Sequence, residues 1–161
     1  SGTYLGYSIG TAPIIGYHYG AKNIEELKNL LKKSLKLIIF TSLVMTGLAE
    51  ILSSILASIF VSYDVGLLEM TTRAIRLFAL SYLISGINIF SSSFFTALND
   101  GVVSAIISFL RTLVFQILMI FALPLIWKLD GIWVSVLFAE LLALIVSISF
   151  LIGKRKKYHY T

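Results

Sequence analysis

The sequence lacks cysteine altogether and contains only two histidines and two prolines among its 161 residues. Without cysteine it can form no disulfide framework, no thiolate nucleophile and no cysteine-ligated metal site. His18 and His159 are too few for a zinc cluster. Motifs of soluble catalysis are also absent, since there is no phosphate-binding glycine loop, no Gly-x-Ser-x-Gly elbow and no His-Glu-x-x-His pair. We therefore do not expect an enzyme.

Charged residues are scarce as well, at 13%, whereas hydrophobic residues make up 58% of the chain. The mean hydropathy of +0.93 predicts an integral membrane protein whose first partner is the lipid bilayer. The net charge of +5 does not indicate a nucleic-acid partner. Nine of the thirteen Lys and Arg residues lie in two short clusters beside apolar stretches, at 22–36 and 154–157, and this pattern reflects membrane topology.

Four apolar stretches are long enough to cross a bilayer, which takes about 20 residues each. They are 37–62, 75–98, 102–126 and 132–152. A fifth stretch, 4–17, is shorter, and we interpret it as the end of a span cut by the start of a fragment, because SGTYLGYSIG has neither an initiator Met nor a signal peptide. The short links SYDVG, LNDG and KLDG predict antiparallel neighbours. The expected fold is an all-α antiparallel bundle of four whole transmembrane helices and one partial helix.

A lysine-rich segment, 22–36, precedes the first whole span. Asn23 stands three residues before Glu26, so Asn23 is expected to cap the next helix while Glu26 returns the bond. Leucines on one face and lysines on the other predict an amphipathic ramp on the membrane surface. Four crossings separate this ramp from the basic tail at 154–161, so both are expected on the cytoplasmic side of a multi-pass plasma-membrane protein, with SYDVG and KLDG external.

Polar residues recur at helical spacing along the second and third whole spans, and a helix that faces only lipid would not carry them. The candidate cavity-lining residues are Ser81, Ser85, Asn88, Ser92, Ser108, Arg111 and Gln116. Small hydroxyls can instead tighten a helix contact with no solute between the helices. The pattern alone leaves both interpretations open.

Three ionisable residues lie well inside the spans: Glu50, Arg111 and Glu140. Each costs on the order of a few kcal/mol at the bilayer centre unless it is paired or hydrated. Glu50 and Arg111 lie at comparable depth, so an ion pair between them is one expectation, and snorkelling of Arg111 toward the LNDG end is the other. Glu140 is a candidate neutral, hydrogen-bonded acid. Both acids are candidates for ion coupling, and both also have a purely structural interpretation.

The segment GTAPIIGYHYGAKN joins an apolar helix to the ramp. Its marked positions are Gly10, Pro13, Gly16, Tyr17, Gly20 and Asn23. The glycines and the proline are expected to loosen or narrow the helix where neighbours approach closely, and the tyrosine suits the headgroup level. The segment resembles the Gly-x-x-Pro-x-x-Gly-Tyr-x-Tyr-Gly-Ala-Lys-Asn signature in the C-terminal half of multidrug and toxic compound extrusion (MATE) transporters.

Three later segments resemble the same family in the same order. FFTALNDG is similar to a Phe-Phe-x-Ala-Leu-Gly-x-Gly helix end, although Asn99 and Asp100 replace the usual small and basic residues. SFLRTLVFQI is similar to the start of the penultimate helix, and LPLIWKLDGIWVSVLFAE to the Leu-Pro exit and the entry into the last helix. The matches together span most of the chain.

The resemblance implies a protein of twelve helices in two lobes, of which residues 1–161 would be helices eight to twelve of the C-terminal lobe. It implies secondary antiport: export of cationic or amphiphilic compounds in exchange for sodium ions or protons, with no cofactor. The implied partners are an amphiphilic small-molecule substrate and the missing N-terminal lobe of the same protein.

One departure concerns the coupling acid. Some branches of the family place a carboxylate in the tenth helix, but 75–98 contains none, and Asn88 and Ser85 stand on its polar face. A coupling acid in this protein is then Glu50 or lies in the missing helices, while Glu140 matches a position that is often acidic. Two alternatives remain: a lipid-linked saccharide flippase of the same superfamily, for which only Arg111 could bind pyrophosphate, and a non-transporting membrane fragment.

Overall fold

The computed structural model describes residues 2–160, which are almost entirely helical and contain no strand. The helices are α1 (Gly2–Gly20), α2 (Ile24–Val61), α3 (Val65–Ala79), α4 (Tyr82–Ala97), α5 (Gly101–Phe109), α6 (Phe115–Ala122), α7 (Pro124–Gly153) and α8 (Arg155–Tyr158). A π-helical segment, Leu110–Val114, joins α5 to α6. The predicted all-α bundle is confirmed. Thr161, the last residue of the predicted tail, lies outside the described residues.

Within residues 2–160, three helices are long and apolar enough to cross a membrane: α2, the continuous Gly101–Ala122 helix and α7. The pair α3 and α4 qualifies as a fourth crossing, but it is bent by 42°. This bend corrects the expected unbroken span at 75–98. At the break, the Leu83 amide bonds to Leu80, and the Thr46 hydroxyl of α2 donates to the Ala79 carbonyl at 3.4 Å. A neighbouring helix thereby satisfies an acceptor that the break exposes, as an apolar medium requires.

The predicted ramp forms the first part of α2 and continues directly into the first whole span. At about 1.5 Å per residue, the 38 residues of α2 extend about 57 Å, roughly twice a bilayer core. Leu27 and Leu31 on its apolar face are buried in the protein core, so this face packs against other helices and not against lipid. Asn23 Oδ1 accepts from the Glu26 amide at 3.3 Å, as expected. The returned bond is not formed, because the Asn23 amide donates to the His18 carbonyl.

Helix α4 is the centre of the bundle and packs against α1, α2, α5 and α7. It buries Phe90, Phe94 and Phe95 completely. By contrast, outward-facing residues of α2 such as Ile51 and Phe60 are 77% and 75% exposed. Large apolar side chains exposed along a whole helix face would promote aggregation in water, and they suit contact with lipid.

The chain leaves α1 and α4 by the same kind of turn. Lys22 and Asn99 adopt left-handed backbone with φ of 56° and 61°. The amides of Asn23 and Asp100 then donate to the carbonyl five residues earlier, at 2.9 and 2.8 Å, and both side chains cap the next helix. This is a Schellman helix end followed directly by an N-cap. Asn99 and Asp100, which depart from the family pattern, therefore have a local structural role.

The close approach expected along the signature segment occurs at one glycine. A Cβ on Gly16 would lie 3.4 Å from the Ala97 carbonyl oxygen of α4. Gly10 and Gly20 have no atom of residues 2–160 within 4 Å of such a Cβ, so a close approach at these two positions stays a prediction. Pro13 lies inside α1 and is exposed. The small residue that brings α1 onto α4 at this level is therefore Gly16.

The KLDG segment is a kink inside α7, which corrects the expected loop. Lys128 has a positive φ of 51° and interrupts the helical geometry. Gly131 lies so close to the preceding turn that a Cβ would be 2.4 Å from the Leu123 carbonyl oxygen. Glycine is required here because there is no room for a Cβ atom, whereas its φ is not positive. Asp130 forms an ion pair with Arg73 of α3, which ties this kink to the neighbouring helix.

The end of the bundle opposite this pair brings the two basic clusters together. Asp100, in the turn between α4 and α5, accepts a hydrogen bond from the Tyr158 hydroxyl and lies 3.7 and 3.8 Å from the ammonium groups of Lys154 and Lys157. The hydrogen bond from Tyr158 is the main reason that the pKa of Asp100 lies below its usual value. We call this part, formed by the start of α2, the α4–α5 turn and the tail, the basic end.

Candidate functional site

The interior of the bundle contains a buried ion pair between Arg111 and Glu140. Arg111 Nε donates to both carboxylate oxygens of Glu140, at 2.9 and 3.0 Å. The side chains are 19% and 8% exposed. The pair joins the α5–α6 helix to α7, and it shields two charges that would each be costly alone in an apolar medium.

Asn88 of α4 adds a third helix to this pair. Its Nδ2 donates to Glu140 Oε2 at 2.7 Å and to the Glu140 carbonyl at 2.9 Å. Its Oδ1 is buried without a hydrogen-bond partner in residues 2–160. We call Asn88, Arg111 and Glu140 the central triad. The triad fixes three helices relative to one another and keeps one unused acceptor.

The π-helical segment positions the arginine of the triad. Arg111 lies within Leu110–Val114, and the Phe115 amide bonds back to the Leu110 carbonyl, five residues earlier. A π-segment rotates the following turns relative to a regular α-helix, and such segments are frequent at functional sites. The Thr112 hydroxyl donates to the Ser108 carbonyl at 2.6 Å, a side-chain contact of the kind that disturbs the helical ladder.

Hydroxyl groups link α4 to α5 next to the triad. Ser92 Oγ lies 2.9 Å from Ser104 Oγ and 2.7 Å from Ser108 Oγ. Thr96 donates to Ser104 at 2.6 Å. This part of the polar stripe forms a close helix contact, as the structural interpretation of the serines expects.

A cavity of about 220 Å³ opens between α1, α4 and α5 beside these hydroxyls. We call it the triad cavity. Its polar lining comes from Ser8, Asn88, Ser92, Ser93, Thr96, Ser108 and Arg111. Ser8 Oγ is buried without a hydrogen-bond partner in residues 2–160. A larger apolar groove of about 500 Å³ between α2 and α3 has no charged lining residue. The triad cavity thus offers a solute both charge and hydrogen-bonding groups in the interior of the bundle.

The candidate cavity residues divide into two groups. Asn88, Ser92, Ser108 and Arg111 line the triad cavity. The other three are not among its lining residues: Ser81, Ser85 and Gln116. Ser81 donates to the Phe78 carbonyl at the α3–α4 break, and Ser85 Oγ is buried without a partner in the described chain. Whether all seven line the cavity of a complete transporter stays a prediction.

The expected ion pair between Glu50 and Arg111 is wrong. Arg111 pairs with Glu140, and the cation nearest Glu50 is Arg76, at 3.9 Å. Arg76 Nε also donates to Ser53 at 2.9 Å. The reason is packing: α2 contacts α1, α3 and α4, but it contacts neither α7 nor the helix that carries Arg111. Comparable depth in two helices does not make them neighbours.

Sequence reasoning missed two features of this site. The first is the partner of Glu140, because the residues of the pair are 29 positions apart on different helices. The second is the contribution of α1, since Ser8 was not a candidate although it lines the triad cavity. A polar residue in an apolar helix was the available signal for Ser8. For the ion pair, the sequence shows one positive and one negative residue inside the spans, but it does not show which helices are neighbours.

The arrangement of helices matches a known family. The family model described as MatE matches residues 3–122, most of the chain. Among solved structures, an outward-facing and an inward-facing multidrug resistance MATE family transporter of the MOP superfamily align with a TM-score of 0.88 each, at 20% and 21% sequence identity. MATE in complex with MaL6 aligns with a TM-score of 0.87 at 20% identity.

Each of these alignments covers 98% of this chain but only 36%, 37% and 36% of the solved chain. No curated protein matches the chain by sequence. The chain thus spans a little over a third of the length of the solved transporters. Over 98% of its length the chain has the fold of a multidrug MATE transporter. Because the family model matches residues 3–122, this chain belongs to the MatE family.

Proposed function

We propose that the chain is part of a secondary antiporter that exports cationic or amphiphilic compounds in exchange for sodium ions or protons. The observation that carries the proposal is the central triad beside a polar cavity in a bundle of this family. An amphiphilic compound needs a site with both apolar walls and polar groups, and the triad cavity has both. We propose that the triad keeps α4, α5–α6 and α7 in fixed positions relative to one another.

The energetics of the ion pair support a functional role. Replacing a buried ion pair with apolar residues of similar volume is often neutral or stabilising. A buried Arg111–Glu140 pair is therefore not the simplest way to stabilise three membrane helices. Intramembrane charges of this kind are found along pathways for ions and solutes. Of the acids on this chain, we propose Glu140 as the first candidate for coupling, because it is buried at the cavity's arginine while Glu50 is half-buried on another helix pair.

The two solved conformations support alternating access. The chain aligns equally well with an outward-facing and an inward-facing transporter. A region that fits both states equally is expected to move largely as one body, with access changing at its interface with the other lobe. The N-terminal lobe is thus a required partner. Positive charge concentrates in cytoplasmic loops, so we propose that the basic end faces the cytoplasm. We also propose the plasma membrane as the location of the protein.

The flippase alternative is less well supported by the geometry. A pyrophosphate site needs free positive charge, and Arg111 is neutralised by Glu140 at 2.9 Å. The non-transporting alternative is favoured by the tight serine contacts between α4 and α5. It does not account for the buried ion pair or for the unused acceptor of Asn88.

The test of function uses the whole transporter in drug-sensitive cells loaded with a fluorescent cationic dye. We expect efflux that stops when the ion gradient is collapsed. A protonophore should stop a proton-coupled carrier, and a sodium ionophore a sodium-coupled one. Efflux that persists with both gradients collapsed would reject secondary antiport.

Thiol labelling tests the triad cavity itself. In the whole transporter, Ser108→Cys should react with a membrane-impermeant reagent in at least one transport state. Ser91→Cys is the matched control, because Ser91 is buried on α4, is not a candidate cavity residue and does not line this cavity. Equal protection of both variants in all states would contradict a water-accessible cavity and favour the non-transporting alternative.

A further inference from the structure

A second cavity, of about 310 Å³, lies at the basic end between the end of α1, the start of α2 and the C-terminal tail. We call it the basic-end cavity. Its polar lining consists of His18, Tyr19, Lys22, Lys157, Tyr158 and His159. None of its lining residues within residues 2–160 is acidic. Positive groups gathered around a concave space attract anions.

Two of the lining residues hold an unfavourable backbone conformation. Lys22 and His159 both have φ of 56°, in the left-handed region. They are two of the four non-glycine residues with positive φ among residues 2–160. At Lys22 this geometry belongs to the helix-end turn described above. The two residues come from opposite ends of the chain and line the same space.

His18, one of the lining residues, carries an unsatisfied polar atom. Its Nδ1 is buried and has no hydrogen-bond partner within residues 2–160. A buried polar atom without a partner costs free energy unless a ligand or an ordered water supplies the bond. An oxyanion would accept a hydrogen bond from this nitrogen in the form of the ring that carries a proton there.

The cavity keeps positive charge after its internal ion pairs are counted. Lys157 Nζ lies 3.8 Å from Asp100 and 4.8 Å from the centre of the Tyr158 ring. The same carboxylate also faces Lys154 at 3.7 Å, so one negative charge is shared by two lysines. Lys22 forms no ion pair within the described residues.

We propose that the basic-end cavity binds a phosphate group, with Lys22 and Lys157 as counter-charges and His18 Nδ1 as a hydrogen-bond donor. Phosphate suits the site because it offers several acceptor oxygens to donors that converge from three segments. Two sources carry this group at a membrane surface: the headgroup of an anionic lipid and a soluble phosphate compound. The proposal does not depend on antiport.

The test measures binding to the whole transporter, purified in a neutral detergent, by native mass spectrometry. The probes are dioctanoyl phosphatidylglycerol, dioctanoyl phosphatidylcholine and inorganic phosphate. We expect the anionic lipid to bind more tightly than the zwitterionic one. Lys22→Asn removes the charge with a residue that tolerates left-handed backbone, and it should weaken the anionic lipid about tenfold, the value of one charge-assisted hydrogen bond. Lys22→Arg should retain binding.

The matched control is Lys33→Asn, which makes the same charge change at an exposed lysine of α2 outside the cavity. A second pair, Lys157→Gln against the exposed Lys156→Gln, serves if Lys22→Asn does not fold. If inorganic phosphate competes with the lipid and is sensitive to the same variants, the ligand is a soluble phosphate compound. If it does not compete, the ligand is a lipid headgroup. Equal weakening by cavity and control variants would overturn the proposal, since surface charge alone would then explain binding.

Discussion

Removing either partner of the Arg111–Glu140 ion pair should destabilise the bundle more than removing both. Breaking a buried pair at one side costs about 3–5 kcal/mol, because the remaining charge stays unpaired in an apolar site. Arg111 is 19% exposed, so water reaches part of its charge, and we expect about 3 kcal/mol for Glu140→Leu and for Arg111→Met. Asn88 keeps one acceptor in either variant, the Glu140 carbonyl at 2.9 Å. The double variant should therefore lose less than about 1 kcal/mol.

The assay is reversible denaturant unfolding of the whole transporter in mild detergent, followed by tryptophan fluorescence. Trp127 and Trp133 lie in the same helix as Glu140 and serve as reporters. The control cycle removes Arg73 and Asp130, whose side chains are 67% and 38% exposed, and it should show a coupling below about 1 kcal/mol. Additive losses in the Arg111 and Glu140 variants would refute the reasoning, because they would mean that neither charge depends on the other.

Three further outcomes are expected. Glu140→Gln should reduce dye efflux by the whole transporter more than Glu50→Gln, because only Glu140 belongs to the central triad. Unaltered efflux in both variants would exclude a coupling role for either acid. Gly86→Ala should lower the free energy of unfolding by about 1–3 kcal/mol, since its Cβ would lie 2.8 Å from Ile38, whereas Gly10→Ala, with nothing within 4 Å in the described chain, should not destabilise α1; equal effects would contradict the close packing. The pKa of Asp100 is lowered in the folded protein, so its carboxylate stabilises the fold fully above the ordinary pKa of 3.8, and this stabilisation is lost as pH falls through the lowered pKa. Asp100→Asn should therefore make the free energy of unfolding less dependent on pH in the acid range. An unchanged acid dependence would exclude this group.

Much of the architecture could be predicted from local pattern. The apolar stretches and the Asn23 cap depend on neighbours in sequence. The structure has helices in each of the five stretches, and Asn23 caps α2 as expected. The basic clusters could also be assigned to one end from the number of crossings. The predicted helix boundaries were wrong at two places, the α3–α4 break and the Lys128 kink, where a tertiary contact or a special backbone geometry decides the structure.

The candidate site was only half predictable. The polar and charged members of the triad were recognised, because an ionisable residue inside an apolar helix is rare enough to stand out. The wrong pairing of Arg111 with Glu50 shows the limit of this reasoning. Depth along a helix can be counted in residues, but which helices are neighbours depends on how all of them pack.

The sequence by itself determined that this is a helical membrane protein of the MatE family, since hydropathy, helix caps and motif order are written in consecutive residues. Tertiary structure alone decided that Glu140 meets Arg111 and Asn88, and that Lys22, near the start of the chain, shares a cavity with the basic tail. The physical reason is that a charge inside a membrane requires a partner, while the identity of that partner is set by helix packing across the whole bundle.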